Sequence, residues 1–232
     1  LNEPRLIGTG YEWWFNKWSI PSEVKDAIDC INKLNQKAVD TIRDTGSNNR
    51  GRLIMCPGYD ASIDGATVSG FKLPTDISGN KNRIALSVHA YSPYNFAMNV
   101  GSGSTSTYTS SIKNELQGLF STLKSNFRDK GIPVVIGEFG STDKNNTAER
   151  VKWATDYTAL AKKNNIPCVL WDNNAFAVYN GNNIVLNSEY HGYINRKNNT
   201  VTSPAKDVIE ALMKPYGKKA DLNCSSSVTI VA

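Results

Sequence analysis

The stretch Pro133-Val134-Val135-Ile136-Gly137-Glu138-Phe139-Gly140 decides the fold. It is a short apolar run, rich in β-branched side chains, that ends on a carboxylate between small and aromatic neighbours. Three more runs share its build: Arg52–Cys56 (RLIMC), Ile84–His89 (IALSVH) and Pro167–Asp172 (PCVLWD). Continuous apolar strands of this length imply burial on both faces, as in parallel strands covered by helices.

Amphipathic stretches separate the runs. Ser22–Asp44 places Val24, Ala27, Ile28, Ile31, Leu34, Ala38 and Ile42 at helical spacing. Ile112, Leu116, Leu119, Phe120, Leu123 and Phe127 form a second stripe, and Val151, Ala154, Tyr157, Leu160 and Ala161 a third. Asn146 with Glu149 has capping-box spacing, and Ser203-Pro204 predicts an N-cap followed by proline at the first helical position. Alternating strand and helix winds into a parallel sheet or barrel through right-handed crossovers. No G-x-G-x-x-G or P-loop follows any strand, and polar and aromatic residues gather at the strands' C-terminal ends, where barrel sites are built. The expectation is a (β/α)8 barrel over residues 1–217. Residues 218–232 (KKADLNCSSSVTIVA) break the helical pattern and read as a linker or tail leading to another module.

Composition narrows the function classes. The chain has 232 residues, 40% of them hydrophobic, and a net charge of +5 spread along its length. No basic stripe with interleaved aromatics points to nucleic acid, and no apolar run approaches the roughly 18 residues of a membrane span. Cys30, Cys56, Cys168 and Cys224 form no CxxC pair, which argues against a zinc site, and a Cys30–Cys56 disulfide stays open. Sequons at Asn145, Asn198 and Asn223 fit a secreted protein.

Two carboxylates stand out. Asn2-Glu3-Pro4 opens the chain, and Glu138 closes an apolar strand. A charge at the end of a buried strand is costly unless paired or used. One such residue reads equally well as an ion-pair partner. Two of them suit glycoside hydrolysis, which needs one carboxyl to donate a proton and another to attack or activate water.

The segments NEPR, HAYSPY, GEFG and VLWDN, in this order and spacing, resemble glycoside hydrolase family five, the cellulase family. The resemblance extends to about Tyr216. It implies that Leu1–Glu3 ends strand four and that the four runs are strands five to eight, with strands one to three absent from the chain. It makes Glu3 the acid/base and Glu138 the nucleophile of a retaining endo-β-1,4-glucanase, with no metal and no cofactor. Asn2 would bind the sugar 2-hydroxyl. His89 and Tyr91 would form the family's H-x-Y, and Trp171 the platform for the reacting sugar, joined to Asp172 by a cis peptide. Trp13 and Trp14, with Tyr11, Phe15, Trp18 and Tyr94, are loop aromatics suited to flat sugar faces, and one or two should face substrate while others seat the loop. His191 has no role in this reading. Two alternatives remain: the same mechanism on xyloglucan, mixed-linkage glucan or mannan, or a truncated module that binds glycan without cleaving it.

Overall fold

The computed structural model describes residues 1–79 and 82–218. The expected tail, with Cys224 and the Asn223 sequon, lies outside these residues apart from Lys218. Four strands, β1 (Ile54–Pro57), β2 (Ile84–His89), β3 (Val134–Phe139) and β4 (Cys168–Leu170), follow one another in the sheet in chain order. β1 and β2 are parallel, with Ile54 opposite Ile84 and Cys56 opposite Leu86. The helices are α1 (Ser22–Asp44), the short α2 (Ile63–Thr67) and α3 (Tyr94–Ala97), α4 (Ser110–Asn126), α5 (Thr147–Lys163) and α6 (Ser203–Met213). Hairpins of two-residue strands, β5–β6 (179–180 with 183–184) and β7–β8 (194–195 with 200–201), lie in the segment before α6. No helix among the described residues is long and apolar enough to cross a membrane.

Contacts divide the chain into two compact units. One holds Leu1–Ala90 with Ser121–Gly137, and the other holds Tyr91–Phe120 with everything described from Glu138 onward.

In the first unit, α1 has the expected bounds, but its buried face differs in the second half. Val24, Ile28 and Ile31 are buried as expected, whereas Leu34 is exposed and Asn35, Val39 and Arg43 turn inward. The polar pair earns that position through partners. Asn35 Nδ2 donates to Pro57 O at the end of β1 (2.9 Å), and Arg43 forks onto both oxygens of Asp76 (3.0 and 2.8 Å). A buried polar group so satisfied competes with leucine for the core face. Phe15, Val24, Ile28, Ile31, Tyr59 and Val68 form the core cluster, with the Phe15 ring edge-on to Tyr59 at 5.3 Å.

In the second unit the core is aromatic. Phe139 stacks on Tyr157 (4.7 Å, 20°), and Trp153 and Phe120 close around the same ring. Trp153, missing from the predicted stripe, is fully buried and donates its Nε1–H to Ser92 O (2.9 Å). The capping box is not formed. Asn146 Nδ2 instead donates to Ser106 O (2.8 Å), and Glu149 Oε2 accepts from Tyr108 N (2.8 Å), so both side chains tie down the segment before α4. At α6 the N-cap is Thr202, one residue earlier than expected.

Burial on both faces holds for β2, where Ala85, Leu86 and Val88 are fully buried. The outermost strands differ, because Met55 of β1 and Val169 of β4 are about half exposed (46% and 55%). Cys30 is exposed, Cys56 is buried, and both are free thiols, so the Cys30–Cys56 disulfide is not present. The cis bond expected at Trp171–Asp172 is likewise not there; among the described residues the cis peptide is Ser92–Pro93.

Candidate active site

The first unit builds its site around Glu3. His89, the last residue of β2, places Nδ1 2.6 Å from Glu3 Oε1, and both side chains are largely buried. So short a contact orients the carboxyl whichever partner holds the proton. Arg5 lies behind it. Its Nη1 donates to Glu3 O (2.9 Å) and stands 3.7 Å from Glu3 Oε2, while its Nε donates to Glu12 (3.2 Å). The guanidinium also caps the Trp13 ring at 3.6 Å. Tyr59 stitches the loop in place, accepting from Leu6 N (3.1 Å) and donating to Tyr11 O (2.6 Å).

Sequence reading missed Asp60, which carries no motif. Its backbone N–H donates to Pro4 O (2.8 Å), next to Glu3. Burial pushes its carboxyl up to about 6, opposed by bonds from Ser62 and reinforced by the charges of Glu3 and Asp64. Gly137 is explained in the same unit. A Cβ there would stand 3.2 Å from Ser87 Oγ and 3.5 Å from the His89 ring. Of the loop aromatics, Phe15 seats the loop in the core, while Trp13, Trp14 and Trp18 are exposed. Asn2 is exposed as well.

The second unit builds its site around Glu138. The Tyr91 hydroxyl donates to Glu138 Oε2 at 2.7 Å. Trp171, just past β4, stands edge-on to Tyr91 (5.8 Å, 83°), with its backbone N–H bound to Phe139 O (3.0 Å). Asp172 is structural: its Oδ2 accepts from Tyr193 N and Ile194 N (2.9 and 2.8 Å).

His191 is the second omission. It is fully buried, edge-on to both Tyr91 (5.4 Å) and Trp171 (5.6 Å), and its Nε2 lies 3.0 Å from Thr142 Oγ1. Burial first, then the charges of Arg150 and Lys144, push its pKa down to about 3, against a smaller pull from Asp172. The folded ring therefore stays neutral while the unfolded chain protonates below about pH 6.5. Stability should fall as pH drops from 6.5 toward 3, by up to about 1.4 kcal/mol per unit. Urea melts at pH 7 and pH 5 should show the wild type losing about 2 kcal/mol more than His191→Phe, which has no such proton to bind. Equal losses would remove His191 as the cause.

The model of the Cellulase (glycosyl hydrolase family 5) family matches residues 1–177. The chain belongs to glycosyl hydrolase family 5. Endoglucanase A of Clostridium longisporum is 43% identical over 217 residues, which are 93% of this chain and 38% of that protein. Among solved structures, a family 5 lichenase from Caldicellulosiruptor sp. F32 in complex with cellotetraose is 43% identical, with a TM-score of 0.82. The match covers 92% of this chain and 55% of the lichenase. A broad-specificity endoglucanase from Ruminococcus champanellensis with bound cellotriose is 40% identical, with a TM-score of 0.77 over 91% of this chain and 55% of that one. The parallel α/β sheet thus belongs to a (β/α)8 barrel family. The chain spans about half the length of these solved relatives and less than half of the endoglucanase.

Proposed function

We propose that this chain carries the catalytic carboxylates of a retaining endoglucanase that cuts internal β-1,4 linkages of glucan chains. Glu138 attacks the anomeric carbon while Glu3 protonates the departing glycosidic oxygen. Glu3 then takes a proton from water, and the resulting nucleophile displaces Glu138, restoring the original configuration. The assignment rests chiefly on Glu138, a strand-end carboxylate in the family's GEFG segment that the Tyr91 phenol holds at 2.7 Å. A phenol donor fixes the plane of a carboxylate, which a nucleophile aimed at one carbon requires. The short His89 contact fixes Glu3 in the same way.

The further roles follow the family pattern. Trp171 supplies the sugar platform, Asn2 binds the 2-hydroxyl, and the exposed Trp13 and Trp14 extend the cleft. β1 to β4 correspond to strands five to eight of the barrel, with Glu3 at the end of strand four. The protein is secreted, as substrates of this size require. A broader reading, with mixed-linkage glucan also cut, is favoured by the lichenase among the relatives.

Incubation with soluble carboxymethyl cellulose and mixed-linkage glucan tests the proposal. Viscosity should fall faster than reducing ends accumulate, and proton NMR should show the β-anomer as the first product. An α-anomer would overturn retention. Glycan binding without turnover would overturn the enzyme and leave a carbohydrate-binding module.

A further inference from the structure

Tyr91 holds Glu138, and something must hold Tyr91. The angle at which its hydroxyl meets the carboxylate depends on what packs against the ring. Trp171 (5.8 Å) and His191 (5.4 Å) do so, and they also stand edge-on to one another at 5.6 Å. Edge-to-face ring contacts of this kind are directional as well as apolar.

His191 is the better-anchored of the two. Its ring is fully buried, and Thr142, which holds it through Oγ1, is also fully buried and bound through its own N–H to Ala97 O (2.8 Å). Its backbone is bound at both ends to Asn173: His191 N donates to Asn173 Oδ1 (3.2 Å), and Asn173 N donates to His191 O (3.3 Å). On the remaining side the ring meets Gly140. A Cβ at that position would stand 2.7 Å from Nδ1, inside any real contact distance, so only glycine lets the imidazole lie where it does. The glycine after Glu138-Phe139 thus serves the histidine.

We propose that His191 is a positioning residue: wedged between Gly140, Thr142 and Trp171, it sets the angle at which the Tyr91 phenol meets Glu138. The bonding also assigns its proton. Among the described residues Nδ1 is buried without a partner, and Nε2 faces Thr142 Oγ1. An orphaned N–H is rarer and costlier than an orphaned acceptor. The proton is therefore on Nε2, donated to Thr142, and Nδ1 is a bare lone pair against Gly140. This inference extends the proposed function, since the catalytic meaning of Glu138 comes from there, but the geometry it concerns can be read without turnover.

Long-range proton–nitrogen NMR of the full chain tests both parts. The sequence holds two histidines, so His191 is assigned by the imidazole lost in His191→Phe. It should show the neutral Nε2–H pattern unchanged from pH 8 to pH 5, and an Nδ1–H pattern would overturn the tautomer. The Tyr91 hydroxyl proton, assigned by Tyr91→Phe, should exchange slowly with water in the wild type. Its exchange should quicken by about tenfold or more in His191→Ala, where the ring support is gone, and return toward the wild-type rate in His191→Phe, which refills the space. Gly140→Ala, which presses on the ring without removing it, should quicken it as well. Slow exchange in both His191→Ala and Gly140→Ala would overturn the positioning role. In turnover, His191→Ala should lose about tenfold in kcat with KM held within about twofold, and His191→Phe should recover most of it. If the hydroxyl responds as described while the wild type cleaves no glycan, the endoglucanase reading falls and the positioning role stands. If the wild type cleaves glycan and the hydroxyl does not respond, the reverse holds.

Discussion

Glu138→Gln is expected to abolish turnover of glucans and aryl glycosides alike, with a loss on the order of 10⁴-fold or more. A carboxamide matches the carboxylate in shape, and its oxygen can still accept the Tyr91 hydroxyl now bound at 2.7 Å. The fold should therefore survive, with a melting temperature within a few degrees of the wild type. What disappears is the negative charge that attacks the anomeric carbon. No covalent intermediate can form, so the quality of the leaving group should not matter: a dinitrophenyl cellobioside and a soluble glucan should be lost together. That pattern separates a missing nucleophile from a missing acid, because a lost acid spares substrates that leave without a proton. Initial rates on both substrates, with circular dichroism of the variant, make the check. Activity on either substrate within about tenfold of the wild type would remove Glu138 as nucleophile.

The fold was largely open to sequence reading because its signal is local. Several consecutive apolar side chains mark a sheet strand, and all four runs became strands, although Met55 and Val169 of the outermost two stay half exposed. α1 runs from Ser22 to Asp44, where the hydrophobic period begins and ends. What escaped detection is long-range. Whether Leu34 or Asn35 faces the core depends on Pro57 O, 22 residues from Asn35, which an amphipathic period cannot register. The Asn146 and Glu149 side chains had the spacing of a capping box, but the segment at Ser106 and Tyr108 offered them better partners. The site divides along the same line. Glu3, His89, Tyr91, Glu138 and Trp171 lie in short motifs, the last four at or just past strand ends, and the structure joins His89 to Glu3, and Tyr91 to both Glu138 and Trp171. His191 sits in an irregular stretch between two small hairpins, and its meaning comes from Gly140 and Thr142, about 50 residues away. One clue was present in the sequence: a glycine directly after Glu138-Phe139 marks a place where something must approach the backbone closely.

Glu3→Gln is expected to behave quite differently from the nucleophile variant. The side chain keeps its length and can still bond His89, which now stands 2.6 Å from Oε1, so substrate binding should change little. Hydrolysis of ordinary glucans should fall by about 10²- to 10⁴-fold, the usual worth of a positioned general acid. For a dinitrophenyl glycoside the leaving group departs as a stable anion, and the first step should stay measurable. The second step then becomes slow, because water has lost its general base, so the intermediate on Glu138 accumulates and a burst of dinitrophenol precedes a slow steady state. Azide changes the outcome. As an anion it needs no base, and it should attack the accumulated intermediate from the face that water uses, giving a β-glycosyl azide and a faster steady state. The product's anomeric configuration, read by proton NMR, carries the assignment. A β-azide from the Glu3 variant means two inversions, one by Glu138 and one by azide. An α-azide would mean a single displacement with no covalent step, and the roles of Glu3 and Glu138 would then have to be exchanged.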